Sequence, residues 1–89
     1  MKDIRSVERV LKALANRRRL AIVVYLSGKE QASVGAIAEE IKLSFKSTSR
    51  HLAILFNVDI LEREQTSTTV LYCLAKPLTP IIKTVLSIL

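Results

Sequence analysis

Lys46, Ser47, Arg50 and His51 bring an ammonium, a hydroxyl, a guanidinium and an imidazole to i, i+1, i+4 and i+5 spacing. On a helix those positions share one side. The chemistry open to such a set is donation, N–H and O–H groups offered to phosphate oxygens and to base edges. Bond-making chemistry has no comparable candidate. A nucleophile needs a base beside it, or two carboxylates must share a cleft, and this chain has one histidine, one cysteine and few acids. An enzyme is the class these residues argue against; a merely solvated polar face is the competing account of the donors, and for His51 a partly buried, hydrogen-bonded ring is the other account.

Two elements must hold that side in place. Ser44 is an N-cap residue whose hydroxyl can accept from a first-turn amide. After it, Phe45, Thr48, Leu52, Leu55 and Phe56 form the apolar side of one helix. Before it, Ser33 can cap a second short helix through Ile41, with Val34, Ile37, Ala38 and Ile41 as its stripe. Only Lys42 and Leu43 separate the two. Two short helices so tightly joined are a helix-turn-helix, whose second member reads the major groove.

At this point the residues resemble a known family. Leu43-Ser44, then Ser49-Arg50-His51-Leu52 and Leu55, are similar to the recognition helix of ArsR-type winged-helix repressors, and Leu11-Lys12-Ala13-Leu14-Ala15-Asn16-Arg17-Arg18-Arg19-Leu20 resembles that family's opening signature. The likeness covers roughly residues 10 to 75. It implies a winged helix-turn-helix of order α-α-α-α-β-β-α, mainly helical with a small β-hairpin, dimerising through its first and last helices. It also implies that Arg19 is a structural residue inside the fold. Four positions depart from the family: Arg17-Arg18 replace a usual Pro-Thr, Phe45 replaces a polar residue, and Asp59 replaces a glycine. Metal sensing does not carry over. Where relatives have cysteines, aspartates or histidines, this chain has residues such as Ala36, Ile37, Ala38, Ile82 and Lys83, so no metal and no cofactor is expected.

Length and charge agree with that reading. Eighty-nine residues make one domain, near the lower limit of size for a comfortable core, so a partner subunit would help. A net charge of +6 favours a polyanion, nucleic acid or anionic lipid. Asp3, Arg5, Glu8 and Arg9 interrupt the start, which is therefore neither a signal peptide nor a membrane span, and a cytoplasmic location is expected. The single cysteine, Cys73, permits no intrachain disulfide and reads as a small hydrophobe in a strand, with an oxidisable thiol as the alternative.

Along the chain, Ile4, Val7, Val10, Leu11 and Leu14 mark a first helix over residues 3 to 15. Asn16 caps a second, whose buried face would hold Leu20, Ala21, Val23 and Val24 and which Gly28 ends through its freedom to take positive φ. Arg17-Arg18-Arg19 crowd the first turn, where the helix dipole disfavours cations; phosphate contact by at least one of them, with Arg17 and Arg18 as the candidates, would relieve this, and the competing account is that one or two point into water or pair with Glu8, Glu39 or Glu40. A polar connection over residues 28–32, open to a short edge strand, leads to the helix-turn-helix at about 33–56. A wing at about 60–75 follows, two strands around Thr66-Ser67. It could touch DNA through Arg63, Gln65, Thr66, Ser67 or Thr68, or it could stay in solvent.

Pro77 and Pro80 open the last helix, about 77–89. Its Ile81, Ile82, Val85, Leu86 and Leu89, with Ile4, Val7 and Leu11 of the first helix, are the expected homodimer interface; adsorption to a membrane is the competing account. Phe45 is expected to pack on the preceding helix, with a thymine methyl as the other option, and Ile54 to be covered by the wing. The functional expectation is a homodimer that binds double-stranded DNA sequence-specifically through Ser44, Lys46, Ser47, Arg50 and His51 and represses by occluding a promoter. A winged-helix module that binds another protein instead is the alternative.

Overall fold

The computed structural model describes residues 3–89, so the first two residues of the expected 1–89 unit lie outside it. The described residues form α1 (Ile4–Leu14), α2 (Arg17–Ser27), β1 (Ala32–Ser33), α3 (Val34–Ile41), α4 (Phe45–Asn57), β2 (Leu61–Thr66), β3 (Thr69–Leu74) and α5 (Pro80–Ser87). Each helix starts where a short polar side chain takes up an orphan amide. Asp3 accepts from Ser6 N, Asn16 from Arg18 N and Arg19 N, Ser33 from Ala36 N, Ser44 from Ser47 N and Thr79 from Ile82 N.

The turn inside the helix-turn-helix is made without glycine. Lys42 adopts the left-handed conformation, φ 56° and ψ 51°. Its amide bonds to Glu39 O while the Leu43 amide bonds back to Ala38 O at 3.0 Å, the paired closure of a Schellman motif. The same device ends α4. Asp59 has φ 64°, its amide meets Phe56 O, and Ile60 N reaches Leu55 O at 3.1 Å. Asp tolerates this conformation better than most residues, so the turn survives the family's missing glycine as expected.

A three-stranded antiparallel sheet of order β1-β3-β2 stands where a two-stranded hairpin was expected. Ala32 pairs with Tyr72 and Ser33 with Leu71, so the open connection before α3 does become a short edge strand. On the other side Leu61 pairs with Leu74 and Thr66 with Thr69. The hairpin therefore turns at Ser67-Thr68, one residue later than the pattern suggests.

The core is aliphatic. Ile22, Val23, Leu26, Ile37, Leu52, Leu55 and Leu61 are fully buried, joined by Tyr72, Leu74 and Ile82. In α2 the covered face is Ile22, Val23 and Leu26, while Ala21 and Val24, expected inside, are exposed. The run from Leu20 to Leu26 is apolar all round, so periodicity could not choose a face. Gly28 ends α2 at φ −98°, without using positive φ. Pro80 is the first residue of α5 as expected, but Pro77 lies in the preceding loop.

Candidate nucleic-acid interface

Helix α4 is anchored along one side and open along the other. Thr48, Leu52 and Leu55 are fully buried, whereas Ser44, Lys46 and Arg50 are exposed and Ser47 is half-buried. The cap fixes where this surface begins: Ser47 N donates to Ser44 Oγ at 3.1 Å and Thr48 N to Ser44 O at 3.0 Å. Lys46 and Arg50 stand one turn apart on the open side. Among the described residues the ion pair formed is Glu8 with Lys12 at 3.6 Å, so neither Lys46 nor Arg50 has a carboxylate partner there.

His51 takes the alternative place, that of a partly buried and hydrogen-bonded ring, rather than the open donor face. It is half-buried, and its Nδ1 lies 3.2 Å from Arg19 Nη1. A guanidinium has donors only, so Nδ1 must accept and the imidazole is the neutral form with its proton on Nε2. Burial holds the pKa of His51 below its ordinary value, and the charges of Arg19 and then Arg18 push the same way. His51 is therefore a positioned neutral ring rather than a free cation beside Lys46 and Arg50.

Arg19 is the structural residue that the resemblance implies. Its Nε donates to Ala13 O and its Nη2 to Lys12 O at 3.4 Å, capping the last turn of α1 while Nη1 reaches α4. The α1 carbonyls and the His51 link could not be read from local spacing, since the groups that meet at Arg19 come from α1, α2 and α4. The other two arginines part company. Arg17 is exposed; Arg18 is half-buried, with Nη1 shielded from water and unpartnered among the described residues. Of the two expected phosphate contacts, Arg17 keeps its availability and Arg18 is turned against the protein.

The wing offers less cation than its sequence suggests. The Arg63 guanidinium sits 4.0 Å from the centroid of the Phe56 ring at the end of α4, a cation–π stack that ties it down. Thr66 Oγ1 donates to Thr69 O at 3.2 Å and closes the hairpin. Gln65 is exposed near the tip, and Glu62 and Glu64 are exposed on either side of Arg63. Two apolar residues of α4 are likewise corrected. Phe45 is 63% exposed instead of packed on α3, and Ile54 is 41% exposed instead of covered by the wing.

Away from α4, much apolar surface is uncovered. Ile4 is 88% and Leu11 50% exposed, Leu89 is also exposed, and Val7, Ile81, Val85 and Leu86 are half-buried. Ile82 does not belong with them, being 3% exposed inside the protomer's own core. Consecutive residues of one helix face different ways, and Ile82 is on the side that meets the core. Val7 and Val10 of α1, the turn Val58–Ile60 and the start of α5 border a groove of about 690 Å3. Among the described residues no three His, Cys, Asp or Glu side chains gather in a metal-binding group, and no helix is long and apolar enough to cross a membrane.

Comparison with known proteins bears on this arrangement. Residues 16–63, which include α2 through α4, match the model of the family described as bacterial regulatory protein, arsR family. A protein of Vibrio cholerae serotype O1 named transcriptional activator HlyU is 38% identical over 66 residues, spanning 74% of this chain and 60% of that relative. This chain thus spans less than two thirds of that relative's length. The solved structure of reduced HlyU from Vibrio cholerae superposes with a TM-score of 0.79 at 30% identity, covering 93% of this chain and 83% of that one. A fragment, residues 1–100, of a possible ArsR-family transcriptional regulator from Mycobacterium bovis has a TM-score of 0.84 at 28% identity, covering 96% and 76%. That fragment is described as a homodimeric winged helix-turn-helix DNA-binding domain.

Proposed function

Because the chain belongs to the arsR family of bacterial regulatory proteins, we propose that it is a cytoplasmic transcriptional regulator that binds double-stranded DNA as a homodimer. The observation that carries this reading is the pair Lys46 and Arg50, exposed one turn apart on α4 while Thr48, Leu52 and Leu55 on the other side of the same helix are fully buried. A helix so anchored can enter the major groove as a rigid body, with Ser44, Ser47 and the two cations meeting base edges and phosphates. Arg17 at the start of α2 and Gln65 on the wing add contacts to the flanking backbone. The neutral imidazole of His51 holds the helix and can offer only Nε2–H.

Uncovered Ile4, Leu11 and Leu89, with half-buried Val7, Ile81, Val85 and Leu86, support association through α1 and α5. Two copies related by a two-fold axis would read half-sites roughly 34 Å apart on a near-palindrome. The protein then acts by occupancy, without chemistry of its own, and represses where the site overlaps a promoter. The relative named an activator makes activation of a bound promoter the result that would reverse this assignment of sign.

The test is duplex affinity measured across a salt series. Lys46→Ala and Arg50→Ala should each weaken binding and each lower the log–log salt slope by about 1, since each lost phosphate contact releases fewer counterions. Unchanged affinity and slope in both variants would remove α4 from the interface. A second reading, a winged-helix module that binds another protein, is favoured by the acidic, tied-down wing of Glu62, Arg63 and Glu64. It predicts no binding to random duplex even at low salt.

A further inference from the structure

Phe45 is the first residue of α4 after the Ser44 cap, and 63% of its surface is open. Thr48 and Leu52, on the same side of the helix, are completely buried. The coverage therefore stops at the leading end of the helix. Helical side chains lean toward the N-terminus, so a residue in the first turn reaches past the packed stripe instead of lying over it. The result is a large ring held in water at the front of α4, beside the exposed Ser44 and Lys46.

The leading turn of a recognition helix is the part that touches base edges. Most of what the major groove presents is polar, and a phenyl ring gains nothing from donors or acceptors. One base offers an apolar handle there, the C5-methyl of thymine. We propose that Phe45 is a specificity-determining residue that reads thymine by packing against this methyl group, so that each half-site carries a thymine under the start of α4. The inference rests on the DNA-binding reading above and names the base that the site prefers. Lys46 supplies the charge that draws the phosphates to this end of the helix, and the ring supplies the discrimination.

The experiment begins with duplexes selected by the full chain from a random pool. Each thymine of a selected duplex is then replaced singly by deoxyuridine, which removes the methyl group and leaves every hydrogen-bonding atom. At one thymine per half-site the native chain should lose about fourfold in affinity, the equivalent of one methyl group returned to water. Phe45→Ala should bind the thymine and deoxyuridine duplexes equally, and Phe45→Leu should recover part of the difference. Its exposure predicts that neither substitution moves the thermal unfolding midpoint, which keeps the comparison free of folding effects. Tight binding by the native chain with no thymine position sensitive to both the methyl and Phe45 overturns this proposal alone. A change of sedimentation in Phe45→Ala overturns it too, since the ring would then be a protein contact. No binding of any duplex by the native chain overturns the DNA-binding reading itself.

Discussion

Arg19 and His51, thirty-two residues apart in sequence, meet at 3.2 Å through Nη1 and Nδ1, a link between side chains of α2 and α4. The same guanidinium holds the carbonyls of Ala13 and Lys12 at the end of α1. One side chain thus fastens the helix proposed for dimer contact to the helix proposed for reading DNA.

This link requires an unprotonated Nδ1, and that gives stability a pH dependence. Burial and the charges of Arg19 and Arg18 lower the pKa of His51 from 6.5, so the folded chain holds fewer protons than the unfolded one in the range below that value. The contribution is complete above about pH 6.5 and is lost as pH falls from there toward the depressed folded pKa. Denaturant midpoints of the native chain should fall between pH 7 and 5, and those of His51→Gln should stay nearly level. Asp3, the other shifted group, has its pKa lowered from 3.8 by the Ser6 hydrogen bonds; its contribution is lost only at lower pH. Parallel profiles for the two proteins would rule out the link as the cause.

Lys42 and Asp59 carry side chains in a conformation that suits glycine. A left-handed L-residue costs on the order of 1 kcal/mol, and less for Asp than for Lys. Lys42→Gly should raise unfolding free energy by about 1 kcal/mol, and Asp59→Gly by a smaller amount. Lys42 is exposed, so no packing is lost in exchange. Destabilisation by Lys42→Gly would mean that its side chain makes a contribution larger than its backbone strain.

Thr48 is buried completely, and its Oγ1 finds no hydrogen-bond partner among the described residues. A buried hydroxyl left unsatisfied costs about 1–3 kcal/mol of desolvation. Thr48→Val keeps the branched shape and removes the oxygen, so it should stabilise the fold by about 1 kcal/mol. Chemical denaturation reads this directly. A loss of stability would mean that water or a strained internal bond satisfies the hydroxyl.

Leu11 and Ile82 separate dimerisation from folding. Leu11 is half exposed on α1, and Leu11→Glu should leave the protomer folded while moving sedimentation from dimer to monomer at micromolar concentration. Ile82 is in the core, where Ile82→Ala should cost about 2–5 kcal/mol at any concentration. A native chain that sediments as a monomer would end the proposal of an α1 and α5 interface.

What could be read from residues alone was whatever depends on near neighbours. The caps Asn16, Ser33 and Ser44 accept from amides two or three residues on, and the structure has them as the spacing predicts. The tight join at Lys42-Leu43, the tolerance of Asp59 for positive φ and the buried stripe of Thr48, Leu52 and Leu55 are of the same kind. Tertiary structure decided everything that turns on where a neighbouring element ends. It paired Ala32 with Tyr72, drew Arg63 onto Phe56 and His51 onto Arg19, put Ile82 inside, and left Phe45 and Ile54 in the open. The helical period gives the direction in which a side chain projects. Whether that direction meets protein or water is a property of distant segments brought close, and no local spacing carries it.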